Sequence, residues 1–430
     1  MFYIIEKSSQ LSQLSFEDCF VRFIPHSNNF HPALTELSLI YVRPIHSKKG
    51  YILCLNHNES LSLTKDKVFN WLDGLGKIWV LDKKQSLHWY PNSDKLFDVN
   101  FIEHVDIKAL DNACISYYYS LHGALSNVNC LIPISKHYEM CEAIYELAWP
   151  VIKQYSLSDT TFQFNNFRTS NVFYNIEKNG IAVDKNCFID YYRGKLHNPQ
   201  FNLNRSKIYT QYNLYTTTSR PSNTFNSVNF AALHKDDGER ACFKPENDKF
   251  IEIDFQGYHP RLIGKLIKFH MPEGNVHEWL AEQYGCDVNE GKGITFRLLY
   301  GGIDDDFRQI PYLNAVADYI DNLWAETQRN GYLQTPHREI PLSWIEQPNA
   351  QKVFNYLLQA VETEMNIEVM RKILDYIKGS GINFCLYTYD SFLFDVPTDI
   401  DKGIIRGLKE IIEGSGFPVK ASWGLDYGKL

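Results

Sequence analysis

Phe250-Ile-Glu-Ile-Asp-Phe255 alternates apolar and acidic side chains, which is the pattern of a β-strand with one face in a core. The isoleucines and the last phenylalanine would face that core, and Glu252 and Asp254 would lie on the opposite face. A single acid at the end of a strand is most simply explained as a solvated side chain. The meaning of Asp254 therefore depends on whether the rest of the chain supplies a second acid.

A second acid stands inside Leu386-Tyr-Thr-Tyr-Asp-Ser-Phe-Leu-Phe394. Two apolar runs, 383–389 and 392–396, meet at Asp390 and predict a hairpin with this acid at its bend. An unpaired carboxylate among such side chains would be expensive to bury, so it needs a cation. Two aspartates on adjacent strands offer the hard oxygen ligands that a pair of magnesium ions requires, with phosphates completing the shell.

A predicted helix at 289–300 contributes a third element. Lys292, Phe296 and Tyr300 are spaced i, i+4 and i+8, so an ammonium, a phenyl ring and a phenol share one face. Such a face can hold a triphosphate at one end and a base at the other. Without the two acids, an ordinary amphipathic helix with a snorkelling lysine would be the simpler interpretation.

Composition limits the kind of protein. The 430 residues suffice for two or three compact units, and 44% hydrophobic and 14% aromatic residues are typical of packed structure. The net charge of -8 weighs against a nucleic-acid binder. Between residues 161 and 223, however, eight basic residues outnumber three acids, a local balance of +5, and aromatics are interleaved with them. That mixture suits phosphates and stacked bases, or equally a solvated basic surface.

Neither a leader nor a membrane span is expected. Met1 is not followed by a charged and then apolar segment, and no apolar run is long enough to cross a bilayer, so we expect a cytoplasmic protein of a bacterial or phage-infected cell.

Nine scattered cysteines without a CxxC pair favour reduced core thiols and no structural metal.

Short strands and longer helices are predicted in turn along the chain. The first ~150 residues form an α/β unit in this prediction. The predicted strands are 19–24, 37–42, 51–55 and 249–255, and the predicted helices are 137–155, 168–175, 260–269, 276–284, 289–300 and 349–378.

From about Phe167 to Leu430 the chain resembles the family A, DNA polymerase I-like, DNA polymerases. Several segments carry this resemblance in the family's order: Tyr212–Asn223 (the primer-template grip), Glu252–Arg261 (motif A), Lys292–Gly301 (motif B), Gly331–Arg338, the pair Asn355 and Gln359, Thr388–Ser391 (motif C) and Phe417–Gly424.

The resemblance implies an α+β right-hand polymerase with an N-terminal α/β, exonuclease-like (RNase H-like) domain. The implied domains are 1–150 (degenerate exonuclease), 151–247 (reduced thumb and primer-template segment), 248–275 with 350–430 (palm) and 276–349 (fingers). It further implies a DNA-directed DNA polymerase that extends a primer with dNTPs by two-metal phosphoryl transfer. Two Mg²⁺ ions, or Mn²⁺, would serve as cofactors, and the partners would be a DNA primer-template, dNTPs and replisome proteins around a monomer.

The resemblance also assigns roles to single residues. Lys292 would neutralise the triphosphate, and Phe296 and Tyr300 would pack on the incoming sugar and base. The full set comprises metal ligands Asp254, Asp390 and the carbonyl of Phe255; catalytic Asp254, Asp390, Lys292 and Tyr300; substrate-binding His259, His277, Phe296 and Arg297; and DNA-binding Arg220, Asn229, Arg240, Arg338, Asn355 and Gln359.

The polymerase motifs depart from the family pattern in several places. His259 stands where the family has a glutamate that excludes the ribose 2'-hydroxyl, and Val288 replaces an arginine one turn before Lys292. Motif C reads Tyr-Asp-Ser, and Asp-Ser-Phe also resembles the single-subunit RNA polymerases. The alternatives are therefore an RNA polymerase-like or ribonucleotide-tolerant enzyme, or a silent nucleic-acid-binding relative. The short connection at 194–207 predicts a reduced thumb and weak, distributive binding.

The N-terminal unit resembles the family's exonuclease domain without its acids. Ile24 and His26 occupy the positions of the expected Asp-x-Glu pair, and only Asp82 lies near the second acidic motif. These residues cannot hold two metal ions as carboxylates do. We therefore expect no proofreading.

Overall fold

The computed structural model of the chain describes residues 3–60, 62–102, 128–156, 158–198, 201, 206–223, 228–234 and 237–430. Two compact units divide it. The first comprises residues 1–180, 188–215 and 224–229, and the second comprises 181–187, 216–223 and 230–430. The finer boundaries of palm, fingers and thumb stay predictions, and residues 199–200 and 202–205 of the expected short thumb connection lie outside the described residues.

The strands are β1 Tyr3–Ile5, β2 Cys19–Pro25, β3 Leu37–Pro44, β4 Tyr51–Cys54, β5 Ile78–Val80, β6 Leu96–Asp98, β7 Ile181–Val183, β8 Lys207–Ile208, β9 Tyr212–Asn213, β10 Ser222–Asn223, β11 Phe243–Lys244, β12 Lys249–Phe255, β13 Tyr332–Gln334, β14 Glu339–Pro341, β15 Asn383–Tyr387, β16 Ser391–Val396 and β17 Val419–Gly424.

The described helices are α1 Ser8–Leu11, α2 Lys65–Asp73, α3 Lys83–Leu87, α4 Ile134–Ile152, α5 Thr160–Phe164, α6 Ser170–Glu177, α7 Lys185–Tyr191, α8 Tyr258–Leu266, α9 Val276–Tyr284, α10 Val288–Gly301, α11 Pro311–Asn330, α12 Ala350–Tyr376 and α13 Lys402–Glu413. Among the described residues, no helix combines the length and the apolar character needed to cross a bilayer.

The first unit is built on a six-stranded mixed sheet in the order β1-β4-β3-β2-β5-β6. Strands β2, β3 and β4 are antiparallel neighbours, whereas β5 and β6 continue the sheet in parallel with β2. Residues of β2 contribute to two hydrophobic cores: Phe20 and Ile24 lie in one, and Val21 and Phe23 lie in the other. Side chains of α4 close the first core and those of α2 close the second, which confirms the predicted α/β architecture.

The second unit is built on a four-stranded antiparallel sheet in the order β15-β16-β12-β17. Its phenylalanines, among them Phe250, Phe392 and Phe394, are fully buried. Helix α12 is the centre of the helical layer and packs against α8, α10, α11 and α13. This arrangement fixes the ends of β12 and β16 and the exposed face of α10 around one another, and those elements carry the predicted site.

Glu252 is a buried acid beside the cleft. The sequence placed it on the strand face opposite the core, and it is 9% exposed. The Ser391 hydroxyl donates a hydrogen bond to its carboxylate at 2.8 Å, because the two strands place these side chains together. A buried carboxylate needs such a donor.

Candidate active site

Asp254 and Asp390 come together where β12 and β16 pair. Asp254 lies opposite Ser391 in the antiparallel register, and the Phe255 amide donates to the Asp390 carbonyl at 2.9 Å. Both aspartate side chains line the same cleft. The two acids, separated by more than a hundred residues in sequence, are neighbours in the fold, as the sequence predicted.

A strained turn presents Asp390. Tyr389 has φ of +69°, and the Asp390 amide donates to the Thr388 carbonyl at 2.9 Å, which closes a γ-turn. A tyrosine rarely adopts a positive φ, and such strain persists only where surrounding contacts impose it. The buried Asn366 amide donates to the Tyr389 carbonyl at 2.7 Å and accepts from the Tyr258 hydroxyl at 3.0 Å. Asn366 thus holds the turn that aims Asp390 into the cleft.

The cleft has a volume of about 710 Å³, within the range of small-molecule sites. It lies between the end of β12, the first turns of α8 and α9, and the exposed face of α10. Its lining residues are Asp254 through Arg261, Glu273 through His277, Lys292, Phe296, Asp390 and Lys420.

Cationic and donor groups line the cleft beside the acids. Lys292 is exposed on α10, and His277 begins α9. Burial, together with the charges of Lys292 and Arg261, lowers the pKa of His277, so its imidazole stays neutral at pH 7. Its Nδ1 atom is buried and has no hydrogen-bond partner among the described residues. A ligand oxygen could supply that partner.

Arg261 shapes this wall and was not predicted as a site residue. Its guanidinium donates to the carbonyls of Pro272 at 3.0 Å and Gly274 at 2.5 Å, and so ties down the loop that precedes α9. Burial lowers the pKa of this guanidinium. Arg261 could have been noticed in the sequence, because it is the last residue of motif A. Its contact with the loop depends on the fold.

The acids fit a divalent cation. Asp390 is open to the cleft, yet the removal of water by the surrounding walls raises its carboxyl pKa, and the charge of Glu362 adds to this rise. His259 and Arg220 oppose the shift. A bound cation would favour the ionised form, and carboxylate oxygens are the ligands that Mg²⁺ prefers.

An aromatic face lies beyond the acids. The rings of Phe296 and Tyr300 stack with centroids 6.0 Å apart, and Phe296 is 43% exposed. The Tyr300 hydroxyl contacts Nδ1 of His259, and burial together with the Glu362 charge raises the pKa of this phenol. The predicted face of α10 therefore exists, and His259 stands between it and the acids.

Glu362 is the main residue that sequence reasoning missed. It lies on α12, and its side chain is 1% exposed. One carboxylate oxygen is 3.1 Å from Nε2 of His259, and the other is 3.3 Å from Nε of Arg220. The Arg220 guanidinium also stacks on the Tyr389 ring, 3.8 Å from its centroid. Glu362 thus holds two residues that the resemblance assigns to substrate and DNA.

Three other expected DNA-binding residues of the second unit have partners within it. The Asn355 amide donates to the Tyr300 carbonyl at 3.1 Å, and Gln359 accepts from the Thr218 hydroxyl at 3.3 Å. Arg240 stacks on the ring of Tyr427 at 4.7 Å. Asn229 belongs to the first unit. Their contacts with DNA stay predictions.

Arg338 and Arg297 require correction. Arg338 is 3% exposed, pairs with Glu364 at 2.7 Å and donates to the Thr218 carbonyl at 2.7 Å. A buried guanidinium needs an acid, so this side chain fixes the loop before Arg220 and does not face DNA. Arg297 was expected at the substrate, but it is not among the residues lining the cleft. It is turned toward Asp304, with which it pairs at 2.7 Å.

Comparisons with known proteins give a structural match and no sequence match. No family model and no curated protein matches the sequence. The structure is similar to the POL domain of Pol1 from M. smegmatis, solved in complex with DNA primer-template and dNTP, with a TM-score of 0.71 and 14% identity. The match covers 99% of this chain and 98% of that one. The chain has the fold of a DNA polymerase I polymerase domain.

Within this polymerase fold, the first unit contains a second polar cluster. His31, His88 and Glu177 bring ligand atoms within 4.8 Å of one another. The Lys84 ammonium, however, contacts both oxygens of Glu177 at 2.7 and 2.9 Å, and the Ala33 amide donates to Nδ1 of His31 at 3.2 Å. The chain's own lysine already neutralises the carboxylate, and His31 Nε2 then carries the hydrogen of the neutral ring. This cluster does not fit a metal ion.

Acids near the segments that the sequence compared with exonuclease motifs have structural tasks. Asp82 caps α3 by accepting from the Gln85 amide at 2.8 Å. Asp98 is fully buried and accepts from the Lys83 amide and the Tyr215 hydroxyl at 2.8 and 2.7 Å. Burial, with the nearby charge of Asp82, raises the pKa of Asp98 to about 8, so it is protonated at neutral pH. A protonated, inaccessible acid is a poor metal ligand.

Proposed function

We propose that this chain is a template-directed DNA polymerase, a nucleotidyltransferase that extends a primer with dNTPs by two-metal phosphoryl transfer. One observation carries the proposal: Asp254 and Asp390 line one cleft together with Lys292, His277 and Phe296. Acids, cations and a stacking ring in one cleft are what a nucleoside triphosphate and its metal ions require. The similar Pol1 domain was solved with DNA primer-template and dNTP, which agrees with this assignment.

The chain's own residues mainly position and neutralise. Asp254 and Asp390 would hold the cations at the strand ends, and Lys292 and His277 would face the triphosphate from the opposite wall. Phe296 and Tyr300 would pack on the base and the sugar. The ions, when bound, lower the pKa of the primer 3'-hydroxyl and carry charge on the leaving pyrophosphate. Magnesium is the proposed metal, with manganese as a substitute.

The proposal extends to oligomeric state, proofreading and processivity. A monomer without proofreading, with weak and distributive binding to primer-template, would work with replisome proteins in the cytoplasm. The tasks of Asp82 and Asp98 as a helix cap and a buried hydrogen-bonded acid support the absence of exonuclease activity. The reduced thumb is inferred from the short connection at 194–207 alone.

Primer extension tests the proposal. The full chain is given a labelled primer-template, dNTPs and Mg²⁺, and we expect elongation by wild type and none by Asp254→Ala or Asp390→Ala. The matched control is Asp375→Ala, which removes an exposed acid of α12 that pairs with Arg371 on the same helix. The control should extend like wild type. Extension by either cleft variant would refute the metal assignment.

Parallel reactions with rNTPs separate the alternatives. The comparison is needed because His259 stands where the family has a glutamate that excludes the ribose 2'-hydroxyl. Efficient growth with rNTPs would favour the ribonucleotide-tolerant enzyme. Binding of primer-template without any incorporation by wild type would favour the silent relative.

A further inference from the structure

A polar stripe runs along one face of helix α12. Asn355, Gln359, Glu362 and Asn366 are spaced by four, three and four residues, so they share a face. Each contacts a different part of the site: the end of α10, the loop at Thr218, His259 with Arg220, and the Tyr389 turn. Asn355 and Gln359 belong to the family pattern stated above, whereas Glu362 does not.

Glu362 depends on two neighbouring side chains, Arg220 and His259. The carboxylate is buried, and neither oxygen has a hydrogen bond of good geometry among the described residues. Its two oxygens face Nε2 of His259 at 3.1 Å and Nε of Arg220 at 3.3 Å. Burying a carboxylate is unfavourable without such partners, so the fold commits Glu362 to holding these two side chains.

His259 is held at both ring nitrogens. Nδ1 contacts the Tyr300 hydroxyl, and Nε2 faces Glu362. The histidine still lines the cleft, with its side chain 16% exposed. Nδ1 is occupied by the phenol and Nε2 is buried against Glu362, so the ring offers the cleft its carbon atoms rather than a hydrogen-bonding group.

The position of His259 determines which part of a nucleotide it meets. Asp254, Asp390 and Lys292 mark the phosphate end of the cleft, and Phe296 marks the base end. The sugar of a nucleotide lies between its phosphates and its base. His259, which lines the cleft and contacts Tyr300 on the aromatic face, stands between these two ends.

We propose that Glu362 is a positioning residue: by holding Nε2 of His259 it turns this histidine into an apolar wall that disfavours a ribose 2'-hydroxyl and selects deoxynucleotides. The inference rests on the proposed polymerase function. A hydroxyl pressed against carbon loses water without gaining a partner, which is worth about 10- to 100-fold in discrimination. Freed from Glu362, Nε2 could instead donate to the 2'-hydroxyl.

The test compares kcat/KM for single dNTP and rNTP additions by wild type and four variants. Glu362→Met removes the carboxylate at similar volume and should lower the dNTP/rNTP ratio about 10- to 100-fold, mainly by improving rNTP use. Glu362→Gln keeps an acceptor for Nε2 and should retain most of the ratio. Glu368→Met makes the same change elsewhere on α12 and should leave the ratio unchanged.

A double variant keeps the test decisive if Glu362→Met does not fold. His259→Phe with Glu362→Met replaces the histidine–carboxylate pair by an apolar contact and restores a carbon wall that needs no carboxylate. Its dNTP/rNTP ratio should match or exceed that of wild type. Thermal unfolding of each variant establishes that folded proteins are compared.

Several outcomes would overturn the inference. An unchanged ratio in folded Glu362→Met, or a low ratio in the double variant, refutes the positioning role while the polymerase function stands. A wild type that extends equally well with both sugars also refutes it. A wild type that incorporates neither dNTPs nor rNTPs refutes the proposed function and the inference together.

Discussion

Acidic side chains have opposite environments in the two units. In the second unit, Asp254 and Asp390 open into a cleft of about 710 Å³. In the first unit, Glu177 is 1% exposed and lies against Lys84, His31 and His88. Burial alone would raise the pKa of Glu177, but the charge of Lys84 and the contact with His88 outweigh it and hold the pKa at about 2.

This difference separates acids that bind from acids that stabilise. The Glu177 cluster is complete within the chain, so its carboxylate contributes to folding and has no capacity left for a ligand. Ionised Asp390 is disfavoured by its surroundings, as its raised pKa indicates. An acid that the fold itself does not stabilise is a candidate for a bound cation.

The largest expected effect comes from Asp390→Asn. Loss of one metal ligand should reduce primer extension by at least about a thousandfold, because a cation in the site contributes several kcal/mol of charge stabilisation. The raised pKa of Asp390 means that its charge destabilises the fold above that pKa, so a neutral side chain should leave the melting temperature unchanged or higher. Single-turnover extension and calorimetry check the two parts. A lowered melting temperature would contradict the distinction between acids that bind a cation and acids that stabilise the fold.

Glu177→Gln should affect stability, where Asp390→Asn affects primer extension. Breaking a buried ion pair leaves Lys84 uncompensated and should lower the unfolding free energy of the first unit by about 3 to 5 kcal/mol. Hydrogen exchange of the β5 and β6 amides measures this. Glu36→Gln changes an exposed glutamate of the same unit and is the control. It should leave the unfolding free energy unchanged. A loss below about 1 kcal/mol would mean that the cluster is not a stabilising device.

Ser391→Ala tests the buried acid beside the cleft. The hydroxyl donates to Glu252, so its removal should destabilise the second unit by about 1 to 3 kcal/mol. Urea-dependent hydrogen exchange of the β12 and β16 amides measures the effect. Ser343→Ala at an exposed position serves as the control. Equal stability of both variants would show that Glu252 finds another donor.

The smallest effect per measured step is a pH slope due to His31. Burial, with the charge of His88, lowers the pKa of His31 from 6.5 to about 3. Below pH 6.5 the unfolded chain binds a proton that the folded chain does not, so stability falls with pH until about 3. His31→Asn removes the side chain that takes up this proton on unfolding. The change of unfolding free energy with pH should therefore decrease by about 1.4 kcal/mol per pH unit. Urea unfolding at pH 6.0, 5.0 and 4.0 compares the two proteins, and parallel curves would contradict the assignment.

Much of the fold was predictable from periodicity. Strand β12 and helix α9 have the predicted bounds, and α12 begins and ends within two residues of its predicted limits. Alternation in β12 and the long apolar pattern of α12 are strong local signals. Helices α11 and α13 were not predicted. Both carry apolar residues at helical spacing that the prediction overlooked, and these faces pack against α12.

The site was predictable where spacing alone places side chains. Lys292, Phe296 and Tyr300 share a face because a helix has 3.6 residues per turn. Arg338 and Arg297 show the limit, since their acids, Glu364 and Asp304, are 26 and seven residues away and were not recognised as partners. Glu362 could have been found by extending the Asn355 and Gln359 stripe by one more turn.

The sequence by itself determined the strand with Asp254, the bend at Asp390 and the face of α10, because alternation and helical period are local properties of a chain. Only the tertiary structure decided that Glu362 holds His259 and Arg220, and that Lys84 neutralises Glu177. Those pairs join residues far apart in sequence. Their energies come from burial and charge, which exist only once the chain has folded.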